Sequence, residues 1–218
     1  MDDVRSEFFS ALTGALTMPA ADGPNLIVGI DGVDGAGKTR LADDWASFLR
    51  ERCPVVRVSI DGFHHVRAHR YQRGRTSPDG FWLDSYDYQA FRREVIAPFR
   101  QGSGTYLPRH HDVQTDEIVV GPRLPVPRGA VLLVDGIFLH RPELDGVWDH
   151  TVFLGVPFEE SMRRMALRDG SSSDPEAAEN VRYVDGQRRY LAECRPEERA
   201  SVLVDYRDLA HPVILRGA

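Results

Sequence analysis

The 218-residue sequence predicts an α/β fold, in which a mostly parallel sheet carries helices on both faces. Short segments rich in Val, Ile and Leu alternate with segments of helical periodicity, which is typical of a parallel sheet covered on both sides. The composition, 42% hydrophobic and 28% charged residues, is that of a folded globular protein. No linker-like segment divides the chain, so we expect one domain over residues 1–218, with its core at about 25–215.

The first half of the chain is predicted to alternate helices and strands around a long central excursion. Apolar residues four apart indicate the first helix, and Pro54 separates the second helix from the next strand. The predicted elements are a helix over 4–17, a strand over 26–30, a glycine-rich turn, a helix ending near 52, a strand over 55–60, a polar and aromatic excursion over 62–86, a helix over 88–100 and a loop over 105–129.

The second half continues the alternation of strands and helices. Asp174 followed by Pro175 has the pattern of a helix N-cap and first helical residue. The predicted elements are strands over 130–134 and 151–156, a helix around 158–166, a helix from 174 to about 194, and two short closing strands over 202–204 and 212–215.

Charge and composition exclude several classes of protein. The formal net charge of −6 argues against nucleic acid as a partner. Apolar runs such as Ala130–Val134 are too short to span a bilayer, and the acidic N-terminus does not resemble a signal peptide. Cys53 and Cys194 form no paired motif, which indicates single thiols in a reducing cytoplasm and neither a disulfide framework nor a zinc site.

The strongest motif is a phosphate-binding loop at residues 32–39. It fits G-x-x-x-x-G-K-[ST] without a mismatch, and it lies between a predicted strand and a predicted helix. Backbone N–H groups and the helix N-terminus would cradle phosphates there, and the Thr39 hydroxyl would bind Mg²⁺. Lys38 would reach the β- and γ-phosphates and is predicted to act in catalysis by offsetting their charge. The predicted nucleotide-binding residues are Gly32, Asp34, Gly35, Ala36, Gly37, Lys38, Thr39 and Arg40.

Three apolar segments end in the same dipeptide, at Asp31-Gly32, Asp61-Gly62 and Asp135-Gly136. Because the carboxyl ends of parallel strands meet at one edge of a sheet, we expect these aspartates to converge near the phosphate loop. Asp135 follows the hydrophobic strand expected beside such a loop and is the candidate metal-side carboxylate. Asp61 is the candidate base, and Asp31 is interpreted mainly as a group that braces the loop.

These segments, together with Asp61-Gly62-Phe63-His64 and Val134–Phe138, resemble the P-loop kinases of the uridine kinase, pantothenate kinase and phosphoribulokinase superfamily. The resemblance implies a P-loop NTPase three-layer sandwich with a five-stranded, mostly parallel sheet and a small lid. It also implies transfer of phosphate from ATP, with Mg²⁺, to a hydroxyl of a small metabolite, with Asp61 as the catalytic base.

The resemblance to uridine kinases extends to the acceptor side. The segment Tyr106–His111 is similar to a uridine kinase segment that lines the nucleoside pocket. A nucleoside is therefore the first expectation for the acceptor, but Arg73-Gly74 and Gly80-Phe81 resemble pantothenate kinases equally well, which leaves pantothenate and sugars open. The predicted substrate-binding residues are Phe63, His64, Tyr106, Arg109 and His111.

A lid is expected at residues 163–186, in addition to the excursion over 62–86. Arg164 and Arg168 are four residues apart on one helix face, and Arg168 is predicted to act in catalysis by offsetting phosphate charge. The basic segment 64–75 is equally consistent with an anion clamp and with a solvated loop. The aromatic cluster Phe81, Trp82, Tyr86 and Tyr88 is consistent with packing or with a substrate wall.

Other points stay open at the level of sequence. A regulatory P-loop NTPase is the alternative from a different functional class, although no Asn-Lys-x-Asp base-reading motif is present. ATP in preference to GTP rests on the resemblance alone. The apolar stripe of the first helix would also suit a homodimer.

Overall fold

A central sheet organises residues 3–217, the part of the chain that the computed structural model describes. In chain order the strands are β1 (Leu26–Gly32), β2 (Val55–Ser59), β3 (Thr105–Tyr106), β4 (His111–Asp112), β5 (Glu117–Ile118), β6 (Leu124–Pro125), β7 (Val131–Asp135), β8 (His150–Gly155), β9 (Val202–Asp205) and β10 (Val213–Arg216). Strands β3 and β6 form one two-stranded sheet, and β4 and β5 form another.

The helices connect these strands. In chain order they are α1 (Asp3–Gly14), α2 (Lys38–Leu49), α3 (Arg67–Arg70), α4 (Pro78–Asp84), α5 (Tyr88–Phe91), α6 (Ala97–Gln101), α7 (Phe158–Asp169), α8 (Val181–Cys194) and α9 (Pro196–Arg199). A π-helical turn over Arg92–Ile96 joins α5 to α6, so the helix predicted over 88–100 is present with a widened centre. Two 3₁₀ turns lie at Ile60–Phe63 and Pro142–Leu144.

The main sheet has the strand order β10-β9-β8-β1-β7-β2. The five strands from β9 to β2 are parallel, and β10 pairs antiparallel with β9 at one edge. The predicted α/β class with a mostly parallel sheet is confirmed. The family resemblance implied five strands, and within the described residues the sheet has these five parallel strands plus the antiparallel edge strand β10.

Two hydrophobic cores lie on opposite faces of the sheet. One packs α1 and α2 against it around Phe9 and Trp45, which are fully buried. The other packs the α4–α6 region and α8 around Phe91 and Phe138. Burial on both faces explains why the central strands are almost wholly apolar and why their polar residues appear only at the strand ends.

Helix α1 uses its apolar stripe within the chain. Phe8, Leu12 and Leu16 are buried in the same core as α2, and Arg5 pairs with Asp44 at 2.5 Å. The apolar stripe of α1 thus packs against the protein's own sheet, and the homodimer stays a prediction that this packing does not test.

The helix predicted from residue 174 begins instead at Val181. The Asp174 carboxylate accepts a hydrogen bond from the Glu176 N–H at 2.9 Å, and the Asn180 side-chain amide donates to the carbonyls of Ser172 and Asp174. These bonds close a turn and occupy groups that a continuing helix would use. The N-cap and proline pattern therefore marks a turn, and the prediction that a helix starts at Asp174 is wrong.

The excursion over 62–86 contains α3 and α4 and packs onto the domain. Phe81 and Trp82 contact the ring of Phe138 with centroids 5.2 and 5.1 Å apart, and Tyr86 and Tyr88 are buried in the same core. Of the two interpretations of this aromatic cluster, packing and a substrate wall, the structure supports packing.

Among the described residues, no helix is long and apolar enough to cross a membrane.

The packing of α1 makes a stability prediction. Leu12→Ala should lower the free energy of unfolding by about 2–5 kcal/mol, because Leu12 is fully buried. Val4→Ala, at a position 48% exposed on the same helix, should change it by less than about 0.5 kcal/mol. Urea denaturation measures both. If both substitutions changed the free energy of unfolding by the same small amount, α1 would not pack as described.

Candidate active site

The phosphate loop joins β1 to α2 in the backbone conformation that its glycines permit. Gly35 and Gly37 have φ angles of +70° and +95°, in the left-handed region that favours glycine. A Cβ at Gly35 would also lie only 2.5 Å from the Ser161 carbonyl oxygen of α7. No side chain caps the N-terminus of α2, so its first N–H groups are available to a phosphate.

Lys38 lies at the start of α2 and folds back over the loop. Its Nζ donates hydrogen bonds to the carbonyl oxygens of Gly32 at 2.9 Å and Val33 at 2.8 Å. These contacts hold the ammonium group at the mouth of the loop, where a phosphate would compete with the carbonyls for it.

A cavity of about 890 Å³ opens over this loop, and we call it the loop cavity. Its lining combines the phosphate loop, the end of β7, helix α7 and the segment before β10. The lining residues are Asp34, Gly35, Gly37, Lys38, Thr39, Arg40, Asp61, Asp135, Gly136, Ile137, Glu160, Arg163, Arg164, Met165, Leu167, Arg168, Arg207, Asp208, Leu209 and Ala210. Of the predicted nucleotide-binding residues, Gly32 and Ala36 are buried beneath this surface and do not line it.

The two predicted metal-side residues touch each other. The Thr39 hydroxyl donates to Asp135 Oδ2 at 2.6 Å, and Arg57 donates to Asp135 Oδ1 at 2.9 Å. No group of three or more His, Cys, Asp or Glu within residues 3–217 is placed to hold a metal by itself. One hydroxyl and one carboxylate nevertheless fit Mg²⁺, which takes most of its ligands from phosphates and water.

Arg57 was not singled out from the sequence. It also binds Asp43 of α2 at 3.0 Å and the Leu133 carbonyl at 3.2 Å, so it ties β2, α2 and β7 together beside Asp135. The available signal was an isolated charge within the apolar strand β2, whose neighbours Val56 and Val58 are hydrophobic.

Asp61, the predicted base, lies in the 3₁₀ turn that follows β2. The Tyr86 hydroxyl donates to Asp61 Oδ1 at 2.7 Å, and the His64 ring N–H donates to the Asp61 carbonyl at 2.7 Å. Burial raises the pKa of Tyr86 well above its ordinary value, so this hydroxyl remains a proton donor. The aromatic cluster had contained Tyr86, but its bond to Asp61 was not predicted.

Asp61 borders two cavities. Besides the loop cavity, it lines a second cavity of about 560 Å³. The remaining lining residues of this second cavity are Ser59, Gly62, Pro108, Arg109, Asp112, Val113 and Gln114. The structure thus places one exposed carboxylate in the walls of both the loop cavity and the second cavity.

Asp34 connects the charged groups of the loop cavity. Burial raises its pKa, the Lys38 ammonium and the Arg168 guanidinium lower it, and the Asp61 carboxylate raises it. The three predicted catalytic residues therefore lie within electrostatic reach of one carboxyl group. The sequence did not highlight Gln187. Its side chain forms hydrogen bonds with both the backbone N–H and the carboxylate of Asp34.

The two arginines of the predicted lid have different surroundings. Arg164 donates to the carbonyls of Ala36 at 3.0 Å and Tyr206 at 2.9 Å, and it pairs with Glu160, so it braces the phosphate loop. Arg168 lies one turn later, has a side chain 67% exposed and pairs with Asp169 at the edge of the loop cavity. Arg168 is thus the one of the two with room to move toward a phosphate.

The predicted substrate-binding residues separate into two groups. Arg109 lines the second cavity, and His64 lies half-buried beside Asp61. Phe63, Tyr106 and His111 are buried, and the structure places them inside the protein and not on a cavity wall. Each ring has packing or polar partners there: Phe63 with Phe91, Tyr106 with Phe99, and His111 with Asp116.

The basic segment 64–75 is largely occupied by contacts within the protein. Arg70 donates to the His65 carbonyl at 2.8 Å, Arg73 pairs with Asp84 at 2.9 Å, and Arg75 lies over the ring of Tyr71. These contacts make the segment an ordered cover beside Asp61 and do not match a fully solvated loop.

Comparison with known proteins gives relatives for part of the chain. No family model matches the sequence. Human nicotinamide riboside kinase 1 is 30% identical over 149 residues, 65% of this chain and 64% of that protein. The tRNA-specific adenosine deaminase subunit tad2 of Schizosaccharomyces pombe is 26% identical over 143 residues, which cover 33% of that protein. The matches thus span less than two thirds of either relative.

Solved structures resemble almost the whole chain. A candidate uridine kinase from Bacillus stearothermophilus has a TM-score of 0.70 at 23% identity, covering 91% of this chain and 96% of its own. A candidate fructose transport system kinase from Silicibacter sp. TM1040 has a TM-score of 0.63 at 24% identity, covering 92% and 96%. The protein therefore has the fold that these P-loop kinase structures share.

The surroundings of His64 predict a pH dependence of stability. Burial lowers the pKa of His64 below 6.5, although the nearby Asp61 carboxylate opposes this shift. The unfolded chain then binds more protons than the folded one below pH 6.5, so acidification destabilises the fold. Between pH 7.5 and 5.5, wild type should lose more unfolding free energy in urea titrations than His64→Gln, by up to about 1.4 kcal/mol per pH unit. Identical losses would contradict this assignment.

Proposed function

We propose that this chain is a kinase that uses ATP and Mg²⁺ to phosphorylate a hydroxyl group of a small metabolite. The observation that carries the proposal is the position of Asp61, which borders both the loop cavity and the second cavity. A phosphoryl donor on one side and an acceptor on the other would meet at this carboxylate. Such an arrangement suits in-line transfer, in which catalysis depends on positioning and charge stabilisation.

Each charged group has a role in this reaction. Asp61 accepts the proton of the acceptor hydroxyl as the hydroxyl oxygen attacks the γ-phosphoryl group, and the bond from that group to the β-phosphate oxygen breaks to release ADP. The Tyr86 hydroxyl holds the carboxylate in place. Lys38 and the α2 N-terminus bind the donor phosphates. Arg168 moves from Asp169 onto the transferring group and offsets its charge.

Thr39 and Asp135 form the metal side of the site, and Arg57 fixes the orientation of Asp135. When bound, Mg²⁺ supplies charge neutralisation for the β- and γ-phosphates. Because Arg57 compensates the charge of Asp135, the metal would be held mainly through the nucleotide, which favours binding of the Mg·ATP complex over binding of free Mg²⁺.

The relatives support this reaction class and point to two acceptor classes. Nicotinamide riboside kinase 1 and the candidate uridine kinase carry nucleoside names, which supports a nucleoside acceptor. The wall of the second cavity, however, holds no aromatic ring on which a nucleobase could stack, because Phe63, Tyr106 and His111 are buried. That observation favours a smaller acceptor such as a sugar, the class named for the candidate fructose transport system kinase.

The same proposal places the protein in the cytoplasm. ATP is available there, and the free thiols of Cys53 and Cys194 remain reduced in that compartment.

Replacement of the base should abolish phosphoryl transfer without abolishing nucleotide binding. We expect Asp61→Asn to lower acceptor-dependent ADP release at least about 100-fold, because the amide cannot accept the proton. The assay uses Mg·ATP with uridine, cytidine, nicotinamide riboside, pantothenate, ribulose 5-phosphate, glycerate and simple sugars.

The pattern of stimulation in that panel separates the acceptor classes and the rival function. Stimulation by a nucleoside or by a sugar identifies the acceptor class. Acceptor-independent ATP hydrolysis that survives Asp61→Asn would contradict the kinase assignment and favour a regulatory NTPase.

Removal of the Tyr86 hydroxyl should affect the chemical step. Tyr86→Phe should lower kcat about tenfold, since a hydrogen bond to a charged group is lost, and leave the KM for ATP unchanged. Tyr88→Phe is the matched control, because the Tyr88 hydroxyl bonds the Phe138 carbonyl at 3.5 Å and not Asp61. Equal kcat values for the two variants would show that Tyr86 does not support the base.

A further inference from the structure

Helix α8 holds the middle of the phosphate loop through Gln187. The Gln187 side-chain carbonyl accepts a hydrogen bond from the Asp34 N–H at 2.6 Å, and its NH₂ group donates to Asp34 Oδ2 at 3.2 Å. The same NH₂ group also donates to the Tyr183 carbonyl one turn earlier in α8, at 3.0 Å. Gln187 is almost fully buried, so both bonds to Asp34 are shielded from water.

The same helix holds the beginning of the phosphate loop through Tyr190. Its hydroxyl donates to Asp31 Oδ2, and the other Asp31 oxygen accepts from the Gly32 N–H at 2.7 Å. His140 supplies a further hydrogen bond to Asp31 Oδ2 at 2.7 Å. Asp31 has no exposed surface, and its position is therefore determined by α8, by His140 and by the loop itself.

At its N-terminal end, α8 binds the cover that follows Asp61. The buried Arg182 guanidinium donates to the carbonyls of Ser77 at 2.8 Å, Arg70 at 3.2 Å and Gly74 at 3.3 Å. The ring of Tyr183 packs edge-on against Phe81 of α4, with centroids 5.0 Å apart. One face of α8 is thus fixed to the ordered segment on the acceptor side of the base.

We propose that α8 is a positioning helix that couples the two sides of the site: Gln187 and Tyr190 set the geometry of the phosphate loop, and Arg182 ties that geometry to the segment beside Asp61. Gln187, Tyr190 and Arg182 line neither the loop cavity nor the second cavity, so they are positioning residues and not catalytic ones. The proposal rests on the proposed function, since it assumes that the phosphate loop binds a nucleotide.

The coupling has a specific consequence for nucleotide affinity. Arg182 contacts the segment over 70–81, through three backbone carbonyls and the rings of Tyr71 and Phe81. Its loss should nevertheless loosen α8 and with it the bonds of Gln187 and Tyr190 to the phosphate loop. Arg182, which lies outside the loop cavity, would then change the affinity of that cavity for a nucleotide. A purely local role for Arg182 in the cover would leave nucleotide affinity unchanged.

The test is isothermal titration calorimetry of the full chain with Mg²⁺ and the non-hydrolysable ATP analogue AMP-PNP. Gln187→Met keeps the side-chain volume and removes both bonds to Asp34, and we expect it to raise the Kd about tenfold. Tyr190→Phe and Arg182→Met should each raise it about threefold or more, and Arg182→Lys, which retains a donor for the carbonyls, should restore most of the affinity.

Arg189→Met is the matched control on the same helix. Arg189 also reaches α4, through an exposed ion pair with Asp79, and such pairs contribute little to stability. Its Kd should match that of wild type. Thermal melts accompany each titration, and Tyr190→Phe, which only removes a hydroxyl, keeps the test valid if Arg182→Met does not fold.

Two outcomes would overturn the proposal. Wild-type affinity in Gln187→Met and Tyr190→Phe would show that α8 does not set the loop geometry. Equal weakening by Arg189→Met and Arg182→Met would show that the effect is not specific to the carbonyl contacts. Failure of the wild-type chain to bind Mg·AMP-PNP would instead contradict the proposed kinase function, so the two failures are distinguishable.

Discussion

Parallel pairing of β1, β7 and β2 is the constraint on which the site depends. In this register Ile30 lies opposite Asp135 and Ser59 lies opposite the same residue on the other side. The chain leaves all three strands at one edge, and each strand end continues into an aspartate or carries one. The phosphate loop, the metal-side carboxylate and the candidate base therefore converge at this edge, where the Thr39 hydroxyl donates to Asp135 across the sheet.

The parts of the fold and site that could be predicted were those with a local signature. The phosphate loop has a fixed spacing of glycine, lysine and threonine, and buried parallel strands appear as continuous apolar runs. Their shared edge then follows from topology, which is why Lys38, Thr39, Asp61 and Asp135 were all anticipated at the lining of one cavity. The start of α8 was missed because the turn at Asp174 has the same local signals as a helix N-terminus.

The supporting contacts could not be predicted, because they join residues far apart in sequence. Arg57 and Asp135 are 78 positions apart, and Gln187 and Asp34 are 153 apart. A single sequence shows periodicity and motifs but not which side chains meet across the core. The same limit explains Tyr106 and His111, whose segment resembles one that lines a nucleoside pocket, although packing has turned both rings inward.

The central claim is that the phosphoryl donor and Asp61 face each other across the loop cavity. A crystal structure of the chain with Mg²⁺ and AMP-PNP tests it most directly. We expect Lys38 Nζ to leave the Gly32 and Val33 carbonyls for the β- and γ-phosphates, with the terminal phosphate inside the loop cavity between Lys38 and Asp61. A terminal phosphate directed away from Asp61, or a nucleotide bound outside the loop cavity, would contradict the account.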